Sequence, residues 1–279
     1  MVASLLAAAM LCAFLTLCGL FYQGQWQFAL HPSARSTAST AALAYQDVRF
    51  DFTETGQPLL HGWWIPAPAG ATRYSDVTVL YLHGGEGPFA NAAPRLLQLH
   101  NLGLNVFAFD YRGFGQSAGP HPDEARMRED AEAAWTYLAL TRKTPATNLV
   151  VYAEGVGIPL AAGLLQQHPR VPAVILEDPV FDLVQQVLHD PRAGLVPAHL
   201  LFRQRFDVAA SLSTLSLPKL IFLSDGPHTP TAQQLAGIAD PKFIMHFGTL
   251  SPAAAEEQRT RSLRRFLDEY LPAPALLPQ

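Results

Sequence analysis

Asn148-Leu-Val-Val-Tyr-Ala-Glu-Gly-Val-Gly157 is the stretch on which the reading of this chain turns. Leu149–Ala153 is an apolar, β-rich run suited to a buried strand, and Gly155 and Gly157 break it before the apolar helical stretch Val156–His168. Strand, sharp turn and helix in that order are the setting of a G-x-S-x-G pattern, which holds a serine on a strained turn at the top of a sheet. Here the five positions are Ala153, Glu154, Gly155, Val156 and Gly157. The hydroxyl is absent. Glycine is also the residue that adopts strained turn dihedrals with least penalty.

On either side of this stretch apolar strand-like runs alternate with helical patterns. Tyr45–Phe52 and Leu59–Pro66 read as opening strands around turn material at Thr53–Pro58, with Trp63 and Trp64 as packing or edge residues. Val77–Leu82 and Leu104–Asp110 follow as strands around a helix at Ala90–Asn101. Asp123–Leu140 sets Ala131, Ala134, Trp135 and Leu138 on one helical face. Strands at Val171–Leu176, Lys219–Leu223 and Phe243–Phe247, and a helix near Thr231–Gly237, continue the alternation. The last helix aligns Leu263, Phe266, Leu267, Tyr270 and Leu271. The fold class is therefore α/β, a mostly parallel sheet with helices on both faces and an antiparallel edge. Phe181–Leu217 is less regular.

Val2–Tyr22 carries no charged residue, and a helix of that length matches a hydrocarbon core of about 30 Å. Tyr22 and Trp26 stand where interfacial aromatics belong. The basic n-region of a cleaved signal peptide is missing, and the nearest small-residue site, Ala42-Leu43-Ala44, lies far downstream. A single-pass N-terminal anchor at 1–24 is expected, then a connector at 25–44 and a body at 45–271. An insertion at about 181–217 and a tail at 272–279 complete the division. Arg35 and Arg49, the first basic residues, tilt the positive-inside count only weakly towards a cytoplasmic body, so the side of the membrane stays open.

The 279 residues carry a net charge of −4 without a basic run, which excludes nucleic acid as a partner. Cys12 and Cys18 both fall in the apolar span, so the body has no disulfide and no thiolate nucleophile. No metal-ligand spacing is present, and no cofactor is expected.

Two further segments make the fold specific. Tyr81-Leu-His-Gly-Gly-Glu-Gly-Pro88 follows one strand, where backbone N–H groups of a glycine-rich loop can face a ligand oxygen. Asp110-Tyr-Arg-Gly-Phe-Gly-Gln-Ser117 follows the next, with Asp110 and Arg112 as loop-fixing charges. Together with the 153–157 turn these resemble the α/β-hydrolase superfamily, in particular its membrane-anchored branch related to serine aminopeptidases and lysophospholipase-like proteins. The resemblance spans Tyr45 to Leu271.

The resemblance implies a nucleophile at Gly155, an acid near Asp225 and a histidine near Ser251, so the triad is degenerate. Asp225 is out of register by a residue or two. Of the nearby histidines, His228 is a stray and His246 falls on the strand. It also implies an oxyanion-type loop from His83, Gly84, Gly85 and Val156. Loss of the serine alone from such a triad costs on the order of 10⁶ in kcat. The leading expectation is a catalytically inactive, membrane-anchored hydrolase-like protein that binds an acyl or lipid ligand, or a protein partner. An open cavity beneath 181–217 would favour a ligand, a filled one a surface scaffold. Val187, Leu188, Leu195, Val196, Leu200, Leu201 and Phe202 would accept an acyl chain or pack the insertion. The alternative is a serine-independent ester or lipid hydrolase built on a polar cluster of Asp225, His228 and His246.

Overall fold

The computed structural model describes residues 1–39, 43–70, 73–226, 229–248 and 250–271. The body is built on eight strands: β1 Gln46–Phe52, β2 Pro58–Ile65, β3 Thr78–Leu82, β4 Asn105–Asp110, β5 Leu149–Glu154, β6 Ala173–Glu177, β7 Lys219–Leu223 and β8 Lys242–His246. They lie in the order β1-β2-β4-β3-β5-β6-β7-β8. β1 and β2 pair antiparallel, as do β2 and β4, and every other pairing is parallel. The 2-residue period of the strands sorts their side chains between two cores. Leu80 and Leu82 of β3 face one, and Val79 and Tyr81 face the other.

The helices divide in the same way. The face holding Leu80 is covered by α3 (Glu124–Thr136), α4 (Gly157–Gln167) and, further on, α7 (Val208–Thr214). α2 (Ala93–Asn101) and α9 (Pro252–Tyr270) cover the opposite face through Leu96, Leu99, Leu263, Phe266 and Leu267. α3 runs into a wider helical turn at Tyr137–Thr141 instead of stopping at Leu140. Asp123 caps it, accepting the Arg126 N–H at 2.9 Å.

The 181–217 segment contains more regular structure than its composition suggests: α5 (Leu183–His189), α6 (Ala198–Leu201) and α7. Between β7 and β8 a short α8 (Ala232–Ala236) is closed by a capping box of Thr231 and Gln234. The expected 272–279 tail lies outside the described residues.

α1 (Val2–Gly24) is long and apolar enough to cross a membrane, and only 6% of its apolar window is buried, so it is no core helix. The connector expected after it is not free chain. Gln25–Phe28 forms a helical turn, Phe21 packs into the core, and Leu30 is fully buried. The chain is pinned there because Trp26-Gln-Phe-Ala-Leu30 is apolar enough to join the core beside α5 and α6.

Candidate functional site

The turn after β5 has the backbone geometry of an elbow, with a glycine at its centre. Gly155 has φ +51°, donates its N–H to the Glu177 carbonyl at 3.0 Å and accepts the Ile158 N–H at 3.2 Å, which starts α4. A Cβ at 155 would touch only the Gly84 Cα, at 3.9 Å, so a side chain would fit. Gly157 is different: a Cβ there would stand 2.7 Å from the Leu82 carbonyl, and the close approach of α4 to β3 requires glycine.

A cavity of about 490 Å³ opens over this turn, lined by Gly155 and Val156, by His83–Glu86, and by Val180, Leu183 and Gln186 at the start of the insertion. The acyl-accepting residues expected from the sequence do not line it. Val187 and Phe202 are buried in packing, and Leu195 and Leu200 are exposed.

The third wall was not foreseen: Phe28, Ala29 and His31, from the supposed connector. The His31 N–H donates to the Gly85 carbonyl at 2.7 Å, and the Gly87 N–H donates to the His31 carbonyl at 3.0 Å. Gly85 is required there, since a Cβ would lie 2.7 Å from the Ala29 carbonyl. The glycine-rich loop is thus stitched to the segment just beyond α1. The sequence signal was the apolar run 26–30, continuous with the span.

His83 is 3% exposed and its Nε2 has no hydrogen-bond partner. Burial lowers its pKa to about 4, against the charge of Asp110 and a hydrogen bond to the Gly84 backbone, both of which raise it. Glu154, part-buried in the cavity wall, accepts the Tyr81 hydroxyl at 2.8 Å. Burial, and then the charge of Glu177, raises its pKa. Asp178, in the left-handed region at φ +48°, accepts the Ser224 N–H at 2.7 Å, and burial raises its pKa too. Glu86 is the other carboxyl in the wall, and no Lys or Arg lines the cavity. Such a site disfavours anionic ligands and suits neutral groups or hydrogen-bond donors.

Asp225 and His246 are brought together, Nε2 to Oδ1 at 2.9 Å, across adjacent β7 and β8. The pair is about half exposed (44% and 57%) and does not line the cavity. Three strand spacings separate β8 from β5, about 14 Å at the usual spacing. Ser251 is the N-cap of α9, accepting the Ala254 N–H at 3.3 Å, so its role there is structural. His228 lies outside the described residues. Among the described residues no group of three or more His, Cys, Asp or Glu could hold a metal ion.

Beneath the elbow is a buried ionic network that sequence reasoning missed. Glu177 pairs with Arg95 of α2 at 3.1 Å and Arg259 of α9 at 2.7 Å, and accepts the Tyr152 hydroxyl. These partners hold its carboxyl below the usual range, although burial pushes the other way. Arg259 also lies over the rings of Phe222 and Phe247, at 4.6 and 4.5 Å. The signal was present: Arg259 precedes Leu263 and Phe266 by four and seven residues, on the buried stripe. Asp110 and Arg112 fix loops as expected, Asp110 accepting the Phe89 and Gln116 N–H groups and Arg112 pairing with Asp130 and Glu129.

The family described as serine aminopeptidase, S33, matches residues 74–226, more than half of the chain. The chain belongs to this family, and so to the α/β-hydrolase superfamily. The uncharacterized protein Rv2307c of Mycobacterium tuberculosis is 29% identical over 242 residues, 84% of this chain and 83% of that protein. Protein bem46 of Schizosaccharomyces pombe is 34% identical over 106 residues, 37% of this chain and 35% of its own. Among solved structures, the Pyrococcus furiosus esterase Pf2001 superposes with a TM-score of 0.65 at 18% identity, over 86% of this chain and 99% of that one. That likeness shows the α/β-hydrolase fold.

Proposed function

We propose that this is a membrane-anchored α/β-hydrolase-fold protein that has lost serine-based acyl transfer and binds a small, uncharged amphiphile over the elbow. The observation that carries the reading is Gly155, an elbow residue with its strained φ and no nucleophilic atom, facing an open cavity. A neutral ester or amide suits the acidic wall, and a free fatty-acid anion does not. Retention of α1 is supported by the burial of Phe21 in the helix and of Leu30 just beyond it: cleavage at the downstream Ala42-Leu43-Ala44 site would remove both from the core.

The test is the full chain in nanodiscs against short-chain p-nitrophenyl esters, with fluorophosphonate labelling as a second readout. Neither turnover nor labelling is expected, and labelling of the wild-type chain would overturn the proposal. A second reading, serine-independent hydrolysis, is favoured only by the Asp225–His246 contact. Turnover abolished by His246→Ala would establish it in place of the first.

A further inference from the structure

A second, larger cleft of about 780 Å³ lies away from the elbow, where the end of α1 meets the body. Its walls come from Leu20 and Tyr22–Gln27 on one side and from His121, Asp123, Arg126, Arg203 and Gln204 on the other. The Trp26 ring stacks on His121 at 5.3 Å, and the Arg203 guanidinium lies 5.7 Å from the Tyr22 ring. The Arg203 backbone N–H is bound by the Gln25 side chain, which locks this loop to the base of the helix. Arg126 is engaged by Asp123 at 2.8 Å. Among the described residues the exposed Arg203 guanidinium has no carboxylate within ion-pair distance. On the same insertion Leu195 and Leu200 stand 64% and 70% exposed, and α6, which carries Leu200, packs on α1.

We propose that this cleft seats the headgroup of an anionic phospholipid, and that Leu195 and Leu200 dock the insertion onto the bilayer beside the anchor. The inference rests on α1 being a membrane anchor and is independent of whether the elbow is inert. A span of 23 residues rises about 34 Å, so its last turn sits at the headgroup level. Because the body is fastened to that turn, the cleft sits there too. Tyr22 and Trp26 are then interfacial aromatics, the unpaired Arg203 faces a lipid phosphate, and the exposed leucines reach the acyl boundary. The occupant is therefore a lipid within the bilayer and not a soluble phosphate.

The experiment uses the full chain with Cys12→Ala and Cys18→Ala, labelled with an environment-sensitive fluorophore at Leu200→Cys. The control label is at Thr147→Cys, on the exposed loop leading into β5 at the opposite end of the sheet. The protein is placed in phosphatidylcholine vesicles with or without about 30% phosphatidylserine. Retention through alkaline carbonate washing is scored first, and release would overturn the anchor reading and this proposal together. With retention, lipid-borne quenchers should quench the label at 200 and not at 147. Phosphatidylserine should increase that quenching, and Arg203→Gln should reduce the gain about fivefold. Inorganic phosphate at millimolar concentration should not compete. Equal quenching at the two positions, or no response to phosphatidylserine, would overturn the docking while leaving the anchor intact; competition by phosphate would reassign the cleft to a soluble ligand.

Discussion

Two ionic assemblies lie near the same end of the sheet and have little in common. Beneath the elbow, Glu177 is buried against Arg95, Arg259 and Tyr152, tying α2 and α9 to β5 and β6. At the rim, Asp225 and His246 make one contact, half in solvent. The first holds the architecture; the second is what chemistry would have needed. On the proposed reading, a site without its serine has no use for the rim pair but needs the network as before, because a buried charge without its partners is costly.

The sharpest way to break this contrast is Glu177→Ala. It leaves the buried Arg259 and the part-buried Arg95 with only the longer, half-exposed contact to Glu256, and should cost about 3 kcal/mol in urea unfolding. A loss no larger than that at the rim would erase the distinction. The pocket wall offers the next test. An unfolded imidazole binds its proton near pH 6.5, whereas folded His83 holds off until about 4. Below pH 6.5 the unfolded chain therefore takes up a proton that the folded chain refuses. The contribution of His83 is full above 6.5 and is lost as pH falls towards 4, about 3 kcal/mol in all. His83→Gln should flatten stability across that window, and an unchanged slope would contradict the assignment.

Smaller effects are expected at the elbow itself. A side chain fits at position 155, but φ +51° disfavours it, so Gly155→Ser should lower stability by about 1–2 kcal/mol without creating fluorophosphonate labelling. A rise in Tm would mean that the turn is unstrained. His246→Ala is the weakest perturbation, below about 1 kcal/mol because its ion pair is solvent-screened. A thermal-shift measurement giving more would show that the rim pair still supports the fold.

The alternation of strands and helices was legible because the central strands carry near-continuous apolar runs and the longer helices their stripes. The 153–157 turn was legible too, since two glycines after a buried run leave the backbone few alternatives. Contacts between segments distant in sequence were harder to read. Nothing local shows that His31 will pair with Gly85 and Gly87, or that Glu177 will gather arginines from α2 and α9. His246 looked out of place for its role because it closes β8, yet β7 pairing sets Leu223 opposite it and brings Asp225 within reach. The short helices of 181–217 were hidden by their length, which is too brief for a periodic signature.

The stitch between His31 and the glycine-rich loop also bears on release from the membrane. A protease cutting just after His31 would leave Phe28, Ala29 and Leu30 with the stump. The liberated body would have a missing pocket wall and an exposed patch of core. If α1 is the anchor and the cavity holds a ligand, as proposed, shedding would open the cavity as it frees the protein.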